Sequence, residues 1–234
     1  MLNLGNRYNR LRYNLSARGR RERRLAAEVM ARQLPPDQVR AVQERHSGVI
    51  SKGEHHRKWL DVESHMQRAA REAMALGLDE SEPLNILDIG CGAGYFLAVA
   101  RHLGHNTTGL DMSDNEVFND FIALMAIPRV IHCITPFTPL PDFDRRFNLI
   151  TGFEVRFNWK IKRKSRLDRW AYDEWSYFLD DCRSKLAPGG RMRLELNAGK
   201  DASYRFLPED IATRLRGVAG ATIPADKSTI TVAA

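Results

Sequence analysis

The apolar run Leu84–Ile89 carries an aspartate near its end and is followed at once by three glycines spaced one residue apart, Gly90, Gly92 and Gly94. A helix-like segment then begins at Tyr95. This stretch constrains the fold more than any other in the chain. Glycine loses more backbone freedom on folding than any other residue, so a cluster marks a sharp turn or a close approach of backbone to a ligand. A buried strand, a glycine turn and a helix open a βαβ unit. The helix N-terminus that results presents unpaired N–H groups, which favour an anion.

The pattern continues downstream. Apolar strand-like runs at Thr107–Asp111, Val130–Ile134, Phe147–Phe153 and Arg191–Asn197 alternate with helical patterns at Tyr95–Leu103, Glu116–Met125 and Leu167–Leu186. Strands separated by helices predict an α/β fold, with a doubly wound, mainly parallel sheet and helices on both faces. A last helix is expected over Pro208–Val218, then a hairpin of two short strands, Thr222–Ile223 and Ser228–Val232, at the sheet edge. Upstream, 37–46 reads as a helix opened by Pro36. A longer helix is expected from Glu54 to Leu76, with Trp59, Val62, Met66, Ala69, Ala70 and Ala73 on one face. The expected organisation is a basic arm over 1–33, a helical extension or lid over 34–83, and an α/β domain over 84–234.

Charge is unevenly placed. Residues 1–33 hold nine arginines against Glu22 and Glu28, which gives +7, while the remaining 201 residues balance to zero. Such an arm suits nucleic acid, anionic lipid or an acidic partner surface; a solvated terminus with no specific role is the alternative reading. No run has membrane-spanning length, FIALMAI at 121–127 being among the longest. With no signal-type segment at the start, a cytoplasmic protein is expected. Cys91, Cys133 and Cys182 are odd in number and lack zinc-type spacing, so free thiols and no metal are expected.

The glycines are spaced G-x-G-x-G, with Tyr95 where a dinucleotide fingerprint has its third glycine. LDIGCGAGYF resembles motif I of the class I S-adenosylmethionine-dependent methyltransferases. TTGLDMS at 107–113, FDRRFNLITGFEV at 143–155 and LAPGGRMRLEL at 186–196 are similar to later family segments and stand in the same order. The resemblance covers roughly 84–197. It implies a seven-stranded, mainly parallel sheet and S-adenosyl-L-methionine as cofactor. Asp88 and the backbone of Gly90, Cys91, Gly92 and Gly94 would face the amino-acid end of the cofactor. Asp111 would accept from both ribose hydroxyls, a carboxylate having two oxygens for two donors, and Met112 would lie along the adenine. Ile134, Thr135 and Phe153 complete the expected cofactor set; the stretch after strand three lacks the acid that relatives often carry there.

Residues just after strand four stand beside the methyl group in such enzymes. GFEVRFNWK partly resembles the E-V-x-E-H stretch of small-molecule O-methyltransferases: Glu154 and Val155 match, while Phe157 and Asn158 replace the acid and the histidine. Glu154 and Asn158 are therefore the expected catalytic residues, with no metal. The basic run at 160–169 suits a phosphate or carboxylate on the acceptor. A methyltransferase acting on a small molecule is expected, with O-methylation ahead of N-methylation. The competing readings are an RNA or protein methyltransferase gripping its polymer with the arm, and a non-catalytic cofactor-binding subunit. The nucleobase signature N-P-P-Y is absent, TGFE standing in its place.

Overall fold

The computed structural model describes residues 13, 16–47, 57–157, 159–160, 168–197, 206–218 and 220–233. In chain order the helices are α1 Ala17–Gln33, α2 Pro36–Ser47, a 3-10 turn Arg57–Leu60, α3 Val62–Ala75, α4 Tyr95–His102, α5 Glu116–Leu124, α6 Tyr172–Lys185 and α7 Glu209–Arg216. The strands are β1 Asn85–Ile89, β2 Asn106–Asp111, β3 Arg129–Ile131, β4 Phe147–Val155, β5 Trp159–Lys160, β6 Asp168–Arg169, β7 Leu186–Leu196, β8 Ala221–Thr222 and β9 Thr229–Ala233. These elements form two compact units. One holds residues 1–82, 92–105 and 115–127; the other holds 83–91, 106–114 and 128–234.

The second unit is built on a seven-stranded sheet of order β3-β2-β1-β4-β7-β9-β8. β1 pairs in parallel with β2 and β4, β2 with β3, and β4 with β7. β9 runs antiparallel between β7 and β8. The α/β expectation is met, and the C-terminal hairpin lies at the edge with its second strand inserted next to β7. The core of this unit joins Leu87, Ile89, Ile150, Met192 and Leu194 of the strands to Trp175, Phe178, Leu179 and Cys182 of α6. Phe157, Trp170 and Phe178 form a tilted aromatic cluster there, with ring centroids 4.8–5.5 Å apart. β5 and β6 pair separately as a short antiparallel hairpin between β4 and α6.

The first unit is helical. α1 starts at Ser16, whose hydroxyl accepts from the Gly19 N–H at 3.0 Å. Its buried stripe contains Leu25, Ala26 and Val29, with one carboxylate among them, Glu22. Glu22 is satisfied: the Tyr13 hydroxyl donates to both of its oxygens, at 2.5 and 2.7 Å, and Arg18 Nε donates at 3.2 Å. Buried His46 of α2 meets Asp120 of α5 at 2.7 Å.

Several element boundaries differ from the sequence reading: β3 ends at Ile131 rather than Ile134, β7 opens at Leu186 rather than Arg191, and two helices start later than expected. The helix expected over Glu54–Leu76 is broken: a 3-10 turn ends at Leu60, and α3 starts afresh because the Asp61 carboxylate accepts from the Ser64 N–H. Residues 54–56 lie outside the described ones. The helix expected from Leu167 begins only at Tyr172, since 168–169 belong to β6 and the Glu174 carboxylate accepts from the Ala171 N–H at 2.6 Å. That bond is one half of a capping box and fixes the start.

Candidate active site

In open α/β sheets ligands sit outside the carboxyl ends of the strands where the order reverses. Here β1 has β2 on one side and β4 on the other. At that point Asp88 pairs in register with Gly109 on β2 and Thr151 on β4. Asp88 is buried, and the Thr151 hydroxyl donates to its Oδ1 at 2.8 Å. Burial pushes the Asp88 carboxyl up to about 7; the Thr151 bond works against that rise and the Asp111 charge adds to it.

The chain leaves β1 with the Gly90 and Cys91 N–H groups both donating to the Leu110 carbonyl, at 2.7 and 3.3 Å. This staples the start of the turn to β2. Gly90, Gly92 and Gly94 have φ of 71°, 54° and 80°, a region that side chains resist. At Gly94 a Cβ would also meet Ile122 Cδ1 at 2.8 Å, so the turn packs directly on α5 within the helical unit. Gly94 caps α4 with no side-chain hydrogen bond, leaving the first-turn N–H groups to other acceptors. Cys91 is buried, and burial, then Asp88 and Asp111, push its thiol well above the ordinary range, which makes it a packing residue.

Asp111 ends β2, one strand away from Asp88 in the same unit. Its Oδ1 accepts from the Met112 N–H at 2.7 Å, and its carbonyl accepts from the His132 N–H at 3.0 Å. The carboxylate is thus oriented yet only partly buried. Met112 is exposed, and Ile134 packs half-buried against the core. Thr135 is exposed and donates to the Thr138 hydroxyl at 2.8 Å. Phe153 and Glu154 lie half-buried at the tip of β4. Asn158 falls outside the described residues. Thr151, Gly152 and Asn197 also shape this edge and were not singled out from sequence. The glycine inside a strand at 152 was the available signal, since such a residue marks a bulge or close approach. A Cβ there would lie 3.0 Å or less from Val155 Cγ1, the Ile89 carbonyl and Leu194 Cδ2.

Among the described residues no group of three or more His, Cys, Asp or Glu is placed to hold a metal, and no helix is long and apolar enough to cross a membrane. No curated protein sequence matches the chain. Among solved structures, the chain is similar to DesVI of Streptomyces venezuelae, at 17% identity and TM-score 0.42 over 56% of this chain and 50% of that one. It is similar to SAM-bound CalS10, an amino pentose methyltransferase from Micromonospora echinaspora, at 19% and 0.43 over 61% and 53%. For the glycopeptide N-methyltransferase MtfA the figures are 16% and 0.46 over 72% and 88%. The chain therefore spans about half the length of the first two. A methyltransferase-domain family model matches residues 59–205, beginning well upstream of the glycine turn and taking in α3. With more than half of its length under that model and a glycine turn on a 3-2-1-4 strand order, the chain belongs to the methyltransferase-domain family.

Proposed function

We propose that the protein transfers a methyl group from S-adenosyl-L-methionine to a small-molecule acceptor, with an oxygen atom favoured over nitrogen. The observation that carries this reading is the pair of carboxylates on neighbouring strand tips: Asp111 ends β2 while Asp88 leads into the glycine turn. The residues present fit such a cofactor. Asp111 has a partly exposed carboxylate at a strand end, suited to two vicinal hydroxyls. Asp88, leading into Gly90 and Cys91 of the same unit, suits a cationic amine. Met112, Ile134, Thr135 and Phe153 stand along the same carboxyl edge as the remaining cofactor contacts.

The cofactor, when bound, supplies an electrophilic methyl on a sulfonium, so the protein has to hold the acceptor in line and keep water out. A hydroxyl acceptor also needs its proton removed. Glu154 at the tip of β4 is the group for that task, with Asn158 as a second polar contact. Between β4 and α6 the sequence holds Lys160, Lys162, Arg163, Lys164, Arg166 and Arg169. That run matches an acceptor bearing a phosphate or carboxylate, such as a sugar, lipid intermediate or natural-product precursor. The polymer-substrate reading loses weight because two arm arginines are engaged internally, Arg18 with Glu22 and Arg21 with Asp79 and Glu80. The test is calorimetric titration with S-adenosylhomocysteine, then transfer of radiolabelled methyl to phosphorylated and carboxylated sugars beside their neutral parents. Saturable one-to-one binding and label in an anionic acceptor are expected. Failure to bind the nucleoside, or binding of NAD in its place, overturns the reading.

A further inference from the structure

β4 does not end as a regular strand. Gly152 pairs with Leu194 and Val155 with Leu196, so three steps on β4 face two on β7. This is a β-bulge, with Phe153 and Glu154 opposite Glu195. Glu154 takes φ of 53°, the left-handed region that glycine ordinarily occupies. Glutamate there is strained, and strain in a side-chain-bearing residue persists only where the surroundings impose it.

Asn197, the first residue beyond β7, is bonded to this tip. Its backbone N–H donates to the Val155 carbonyl at 3.1 Å, and its Nδ2 donates to the Glu154 carbonyl at 3.4 Å. One residue thus holds two successive carbonyls of the bulge. Gly152 completes the device from the other side, since any Cβ at that position would press on Val155 and on the Ile89 carbonyl. The tip of β4 is therefore braced from both neighbouring strands. A glycine at 154 would fit there without strain, yet the chain carries a carboxylate.

We infer that Asn197 is a positioning residue for Glu154, holding it in the left-handed conformation that sets its carboxylate for the acceptor. This rests on the reading that methyl transfer takes place at the tip of β4. The strained backbone is retained because the bulge re-aims a side chain that a regular strand would send elsewhere.

The experiment combines melting curves, cofactor-product binding and carboxylate NMR on the full chain. Glu154→Gly should melt about 2–4 °C above Glu154→Ala, since glycine relieves the left-handed strain. Asn197→Ala should lower the melting temperature of the wild type, and by clearly less in the Glu154→Gly background, where nothing strained is left to hold. In protein labelled with 13C-glutamate, the carboxylate resonance that disappears in Glu154→Gln should move in Asn197→Ala. Affinity for S-adenosylhomocysteine should stay within about twofold of wild type in that variant. Equal melting of Glu154→Gly and Glu154→Ala, or an Asn197→Ala effect that is the same in both backgrounds, overturns the inference while leaving the cofactor reading intact. An unmoved Glu154 resonance overturns the positioning role. Wild-type protein that binds no S-adenosylhomocysteine overturns the cofactor reading instead, whatever the melts give.

Discussion

Asp88→Asn gives the most discriminating single measurement. Asp88 is buried beside Thr151 and its carboxyl is pushed up to about 7, mainly by burial. In the unfolded chain it ionises at the ordinary value of 3.8. Between those two pH values the unfolded chain has released a proton that the folded chain still holds. Stability contributed by the protonated form is complete below about 4 and is lost as pH rises through about 7. The ceiling on this loss is roughly 4 kcal/mol, from 1.36 kcal/mol for each tenfold change in proton affinity. At about 2–4 °C per kcal/mol for a chain of this size, the melting temperature moves by about 16 °C at most. Asparagine keeps the shape and still offers Oδ1 to the Thr151 hydroxyl, but it carries no charge at any pH. Calorimetric melts of wild type and Asp88→Asn at pH 4, 5, 6, 7 and 8 should lie closest at pH 4 and separate steadily as the pH rises to about 7. The variant should melt several degrees higher at pH 8. Because Asp111 adds to the rise, Asp111→Asn should narrow the difference. A gap between the two proteins that stays constant from pH 5 to 8 would refute the argument, since every other titrating group is common to both.

Three further perturbations test other parts of the molecule. Asp111→Ala should weaken S-adenosylhomocysteine binding at least tenfold, about 1.4 kcal/mol, in a calorimetric titration; unchanged affinity counts against the ribose assignment. Gly94→Ala places a methyl 2.8 Å from Ile122 Cδ1 at a φ of 80°. Urea unfolding should show a loss of about 1–3 kcal/mol, and a midpoint equal to wild type would mean that α5 gives way freely. Glu22→Ala removes the buried acceptor of both Tyr13 hydrogen bonds and of Arg18. It should cost about 2–3 kcal/mol in the same assay and depend little on salt, whereas a loss that vanishes at 0.5 M salt would mark the cluster as a surface ion pair.

What the sequence made legible was whatever local periodicity and backbone chemistry encode. The tips of β1 and β2 could be read because an apolar run, a glycine turn and a helix follow one another without interruption. Two helix starts escaped because an aromatic side chain imitated periodicity. Trp59 continues the spacing of Val62 and Met66, yet it sits on a 3-10 turn that Asp61 separates from α3. Trp170 fits the face of α6 yet precedes it, reaching the same aromatic cluster from the strand side. The tip of β4 escaped for a different reason. Resemblance gave the position of Glu154, but its backbone conformation follows from a register slip against β7 and from a side chain 43 residues away. The local pattern carries one trace, Gly152 inside the strand, and it reveals neither the left-handed backbone at Glu154 nor its partner Asn197. A side chain whose type is local but whose backbone conformation depends on a neighbouring strand is legible only in part. The missing part here is the strained backbone, which Asn197 ties to the tip of β4.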